Sequence, residues 1–238
     1  MYQIYNSQDM IRFINACRTD LELNTKDPNL TFPKSLPICV LEAVFSMGVR
    51  NTSSHNAFTR YMDYYNLKYD SSTGKVTPEH TISNFIENLE AFSSFDEVAK
   101  DVLKNSQRTS SRNGILKAKA AYEVAKTLKE HSIETINDFN QKAYSDSSLN
   151  DDICNVKGQS SGIMLKYLYM LAGDSSQAKP DRMLKRYIEN IIPTACSDDD
   201  VQKIMTEAVK TLKLEYPDLT VRLLDFLIWD YQRKTGKS

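Results

Sequence analysis

Two groups of residues, separated by a single helix, have the types and spacing to do chemistry together. The first is the turn Gly158-Gln159-Ser160-Ser161-Gly162, preceded by Lys157, where main-chain N–H groups can face an anion. The second is Lys179-Pro180-Asp181-Arg182, which opens a predicted helix and sets one carboxylate at its positive end. Between them Ile163, Met164, Tyr167, Leu168 and Leu171 recur at helical spacing, and a Gly-Asp-Ser-Ser loop ends that helix. A phosphate grip followed by an acid points to a protein that holds a nucleic-acid backbone and works beside it. The bland alternative for Asp181 is that it only supports the first turn of its helix.

Other residues could widen the grip. Arg50, Arg108, Arg112, Lys117, Lys119, Lys157 and Lys166 could form a local basic surface, and such phosphate contacts supply most non-specific DNA affinity. Lysines spaced along a helix are as readily a solvated face. That alternative fits Arg108 and Arg112 least, because they stand beside serines in a predicted loop. Tyr61, Tyr64, Tyr65, Tyr167, Tyr169 and Trp229 recur at helical spacing, as core residues do, and none is singled out as a base-stacking surface. His55, His80 and His131 have no evident partner and are expected at the surface. Cys17, Cys39, Cys154 and Cys196 form no C-x-x-C pair and each lies among apolar neighbours. Buried thiols are expected, with no zinc, no iron–sulfur cluster and no cofactor.

The bulk properties set bounds. A chain of 238 residues, 41% apolar and 26% charged, can bury a proper core. A formal net charge of −1 means that any nucleic-acid surface must be a local basic patch offset by acid elsewhere. The N-terminus lacks the basic start and apolar core of a signal peptide, and no apolar run approaches the roughly 18 residues of a membrane span. A cytoplasmic monomer with reduced thiols and no membrane contact is expected.

The elements that must position these residues read as helices almost throughout. Glycine is scarce, at seven residues, and apolar residues recur at three and four rather than two. Ser7-Gln8-Asp9 is predicted to cap a first helix with Met10, Ile11, Phe13, Ile14 and Cys17 on one side. Residues 24–34 read as a connector and Leu36 to Val49 as the most apolar helix. A helix carrying Phe58, Tyr61, Met62 and Tyr65 follows. Lys68 to Pro78 reads as a loop. Further helices are predicted over 81–92, 95–104, 114–131, 133–143, 148–156, 180–192, 198–214 and 219–234.

The stretch from Val156 to Tyr187 resembles the helix-hairpin-helix DNA glycosylases, the superfamily of endonuclease III, MutY and 8-oxoguanine glycosylase. There a turn of the form apolar-x-Gly-apolar-Gly joins two helices, and an aspartate opens a further helix with an arginine a turn or so later. Here the turn is Val156-Lys157-Gly158-Gln159-Ser160, the aspartate is Asp181, and Arg186 follows. Three more segments match in order: Leu41 to Ser46, Arg112 to Lys119, and Leu224 to Trp229. The departures are Ser160 in place of the second glycine, Gly162 where lyase-competent members carry lysine, and Gly48 near the place of a duplex-wedging glutamine.

The resemblance implies an all-α, two-lobed fold with its hairpin near residues 156–162. One lobe would be a helical bundle over 34–173, and the other a discontinuous lobe of 1–33 plus 174–238. It implies a monofunctional DNA N-glycosylase of base-excision repair acting on double-stranded DNA. Asp181 would stabilise the sugar cation and activate water, because Gly162 offers no amine for a Schiff base. Lys157, Gly158, Gln159, Ser160, Ser161 and Gly162 would hold phosphate, with Arg50, Arg108, Arg112 and Lys166 as further DNA contacts. The alternative is a noncatalytic DNA-binding or damage-sensing protein that keeps the fold.

Overall fold

The computed structural model describes residues 6–48, 51–194 and 196–235. Arg50 lies outside them. Twelve α-helices, a 3-10 turn (Pro28–Thr31), a π-helical turn (Val98–Val102) and one short strand pair make up the regular structure among the described residues, so the chain is all-α in character. It divides into two compact units, Asn29–Ala172 and the discontinuous pair Met1–Pro28 and Gly173–Ser238.

In the unit Asn29–Ala172 the helices are α2 (Leu36–Phe45), α3 (Asn51–Tyr64), α4 (Ile82–Glu90), α5 (Phe95–Glu97), α6 (Lys117–Glu130), α7 (Ile136–Lys142), α8 (Ser147–Asn155) and α9 (Ile163–Leu171). All ten residues of α2 are buried, which suits a helix that is apolar on every side. It packs against α3, α6 and α9. Thr81 and Thr135 close capping boxes on α4 and α7, each worth about 1 kcal/mol of helix stability.

The stretch read as a loop is a tight two-stranded ribbon, β1 (Lys68–Tyr69) against β2 (Val76–Thr77). Asp70 organises its tip by accepting the Ser72 N–H at 2.8 Å and the Ser72 and Thr73 hydroxyls at 2.7 and 3.0 Å. Local side-chain bonds of this kind leave no hydrophobic periodicity to read.

In the other unit, α1 (Ser7–Asp20) packs with α10 (Arg182–Ile191) and α11 (Asp198–Leu212), and α12 (Val221–Lys234) packs against both of these. Phe13, Cys17, Ile188, Ile204, Met205, Leu224 and Ile228 lie in its core. Asn6, one residue ahead of the predicted cap, is the N-cap of α1, and it closes a capping box with Asp9. Ile11, expected on the apolar side of α1, is instead 58% exposed. Asp198, Asp199 and Asp200 occupy the first turn of α11, where the helix dipole favours negative charge.

Two predicted surface groups lie inside. Lys117, expected on a basic face, is buried. Its Nζ donates to the Phe45 and Met47 carbonyls at 3.0 and 2.7 Å and to Gln107 Oε1 at 3.3 Å. It thereby serves the carbonyls left open where α2 ends, a task that favours a cation. His80 is also buried, with Nε2 2.8 Å from the Tyr61 hydroxyl. His131 has partners too, lying 2.8 Å from Asp146 and 3.0 Å from Asp152.

Candidate functional site

The predicted phosphate grip is the α8–α9 turn. Gly158 and Gly162 both adopt the left-handed backbone, with φ of +94° and +71°, which explains glycine at each. The turn closes through Gln159 N–H to the Val156 carbonyl at 2.9 Å and Gly162 N–H to the Gln159 carbonyl at 3.0 Å. These bonds leave the N–H groups of Lys157, Gly158, Ser160 and Ser161 with no acceptor among the described residues. The side chains of Lys157, Ser160 and Ser161 are exposed around them.

Gln159 departs from the expectation. Its N–H is spent inside the turn, and its side chain is 2% exposed with Oε1 accepting no hydrogen bond among the described residues. The middle of the turn points into the protein, so Gln159 does not belong to the exposed grip.

A second segment backs this turn. Arg108 and Leu116 form an isolated bridge, and Thr109 N–H donates to the Ile115 carbonyl at 2.8 Å. A β-carbon on Gly158 would lie 2.4 Å from Thr109 Cβ, so only glycine allows this approach. The Ser/Arg-rich loop is therefore folded against the hairpin. Arg108 Nε donates to the Gly114 carbonyl at 2.9 Å, and the Ser110 hydroxyl bonds the Arg112 carbonyl at 2.6 Å. Arg108 and Arg112 are exposed, while Lys166 is partly covered one turn into α9.

The carboxylate candidate, Asp181, lies in the other unit as the N-cap of α10. Its Oδ1 accepts the N–H groups of Met183 and Leu184 at 2.8 and 3.1 Å, and its own N–H donates to the Lys179 carbonyl at 2.7 Å. No described residue donates to Oδ2. One oxygen is thus locked in the cap and the other is not spent on it. The preceding loop is fixed as well. Asp174 Oδ1 accepts the Ser176 N–H at 2.7 Å, and Gln202 bonds the Ser176 carbonyl at 2.8 Å and the Ala178 N–H at 2.9 Å. Arg186, further along α10, buries Nε and Nη2 with no acceptor among the described residues.

Asp225 is the residue that the sequence reading passed over. It sits in α12 among Leu223, Leu224, Leu227 and Ile228. Burial first, and then the Asp181 charge, push its pKa well above the ordinary carboxylate value. A lone acid inside the apolar run 223–229 was the available signal. On the same helix Trp229 stacks on Phe226 with ring centroids 6.0 Å apart, and the Arg233 guanidinium lies 5.1 Å from the Trp229 ring.

Burial raises the thiol pKa of Cys17 to about 12 and raises those of Cys39, Cys154 and Cys196 as well. Among the described residues no three His, Cys, Asp or Glu side chains are grouped to hold a metal ion. No described helix is long and apolar enough to cross a membrane.

Comparison with known proteins gives a family and nothing finer. No curated protein and no solved structure matches the chain. Residues 11–233 match the family described as "Domain of unknown function (DUF8548)", and the chain belongs to that family.

Proposed function

We propose that this chain is a monofunctional DNA N-glycosylase with a fold of the helix-hairpin-helix glycosylase type. The observation that carries the reading is the state of Asp181, whose Oδ1 is clamped by two main-chain donors while Oδ2 stays open. Cleavage of an N-glycosidic bond builds positive charge on the sugar. A carboxylate held rigid beforehand stabilises that charge without reorganising. Its free oxygen also accepts the proton of the attacking water.

The α8–α9 turn supports the same reading with four unspent N–H groups beside exposed Lys157. These suit a DNA phosphate, and exposed Arg108 and Arg112 extend the positive surface along the neighbouring loop. Gly162, as the N-cap of α9, carries no amine, so water is the nucleophile and the abasic site is left intact.

The test is incubation of the protein with duplexes that each carry one damaged or mispaired base, followed by alkali to break abasic sites. The expected result is cleavage only after alkali, lost in Asp181→Asn. Absence of cleavage with every duplex sinks the reading. Salt-dependent duplex binding without turnover would then favour the noncatalytic DNA-binding alternative, towards which the inward-facing Gln159 and the near-neutral net charge of −1 lean.

A further inference from the structure

Helix α8 leads into the turn with the four unspent N–H groups, yet little of it is packed. Of its nine residues only Leu149 and Ile153 are buried. Polar ties hold it as well. The Tyr169 hydroxyl lies 2.7 Å from Asn150 Oδ1, and His131, the C-cap of α6, reaches α8 and its cap with both ring nitrogens. We propose that His131 is a proton-operated latch on α8, which keeps the α8–α9 turn in place while the imidazole is charged and loosens it when the proton leaves. The latch goes beyond the glycosylase reading, and only its consequence for DNA rests on the turn being a phosphate grip.

The geometry requires a charged ring. Nδ1 lies 2.8 Å from Asp146 Oδ2, and Nε2 lies 3.0 Å from Asp152 Oδ2. A carboxylate only accepts and a neutral imidazole has a single N–H, so both bonds form only with the imidazolium. The same bonds, Asp152 first and Asp146 second, raise the imidazole pKa above its ordinary 6.5. These two carboxylates are the charged groups that face the ring. Lys142, from α7, donates instead to the His131 and Ser132 carbonyls at 2.6 and 3.2 Å and fixes the backbone behind the ring. The ring is partly exposed, so water can take its proton.

The two bonds are not equally expendable. Asp146 is the N-cap of α8, and its Oδ1 accepts the Leu149 N–H at 3.2 Å and the Ser148 hydroxyl at 2.6 Å. Asp152 has no other partner among the described residues. A neutral His131 keeps its N–H on Nδ1 for the anchored Asp146 and turns a bare Nε2 lone pair towards Asp152. Attraction there becomes repulsion, and α8 loses its tether about one turn before its end. From that point the Val156 N–H bonds the Ile153 carbonyl at 3.2 Å, and the Val156 carbonyl accepts the Gln159 N–H at 2.9 Å. Loosening of α8 passes along these bonds into the turn.

The experiment follows amide hydrogen exchange over residues 149–162 from pH 6 to 9, corrected for the intrinsic effect of pH, and duplex affinity at constant salt over the same range. In wild type, protection of α8 and the turn should fall as pH rises through the raised His131 pKa. Duplex affinity should fall with it by about 5-fold, the lower end of coupling between two sites. His131→Asn, uncharged throughout, should show the low protection and low affinity at every pH. His131→Arg, charged throughout, should keep both high. Asp152→Asn should also remove the pH dependence, because its amide can either donate to Nε2 or accept from it. Wild-type protection that does not change with pH, or that changes as much in His131→Arg, overturns the latch. Loss of protection with undiminished affinity overturns its control of the turn. If protection falls as expected and no duplex binds at any pH, the DNA reading fails and the latch itself stands.

Discussion

Asp181 accepts two N–H groups through Oδ1, so a change there is felt both by the helix and by any chemistry. The two effects can be separated because asparagine caps a helix about as well as aspartate, whereas alanine gives up the cap. Asp181→Asn should leave the thermal midpoint nearly unchanged and lower glycosylase kcat by about 10²-fold or more, the scale for removing a group aimed at transition-state charge. Asp181→Ala should lose the same activity and also about 1 kcal/mol of stability, read by urea unfolding. If Asp181→Asn keeps wild-type turnover, Asp181 is a cap and nothing more. The same residue shows why its role was only half legible: Pro180 and Asp181 announce a helix start, but which oxygen is spent on the cap is a matter of coordinates. Asp225 was harder still, because the burial and the Asp181 charge that raise its pKa arise only in the fold.

At the scale of elements the α8–α9 turn works through its backbone, and Gly158 is its tightest point. A residue other than glycine at φ +94° is strained, and its β-carbon would meet Thr109 at 2.4 Å. Gly158→Ala should therefore cost about 1–3 kcal/mol and turn the freed N–H groups away from phosphate. Duplex affinity should fall with it, and Thr109→Gly should recover part of the stability because it removes the clash but not the strain. Lys157→Glu is the complementary probe. It should weaken binding to every duplex alike and lower the slope of log affinity against log salt by about 1 per lost phosphate contact. Unchanged affinity in both variants would remove the turn from the DNA surface. Helix periodicity was enough to find nearly every helix, because the apolar spacing that builds the core is written locally. It misjudged Lys117, since an α6 lysine that reaches the end of α2 looks in sequence like any solvated one. It misjudged Gln159 as well, since nothing polar in a turn announces that it points inward.

For the molecule as a whole, the remaining prediction concerns pH, because two histidines of the unit Asn29–Ala172 pull its stability in opposite directions. His80 is buried against Tyr61, and desolvation lowers its pKa from the ordinary 6.5 to about 4. The fold thus keeps His80 neutral where the unfolded chain would take up a proton. Its contribution is fully present above pH 6.5 and is lost as pH falls from there to about 4. His131 is the reverse case: bonds to Asp152 and then Asp146 raise its pKa, so the fold prefers it charged. That contribution is present below the ordinary value and is lost as pH rises through the raised one. Asp146 answers in kind, lowered to about 2 by Ser148 first and His131 second. Burial makes His80 the stronger term, since the His131 cluster is screened by solvent. Urea unfolding followed by far-UV circular dichroism across pH 4 to 8 should show stability falling towards acid in wild type. His80→Gln, which can still bond the Tyr61 hydroxyl, should flatten the acid fall. His131→Asn should lower stability near pH 5 and leave it nearly unchanged at pH 8. An acid fall that persists in His80→Gln would mean that the carboxylates, rather than the buried imidazole, govern how this fold fails in acid.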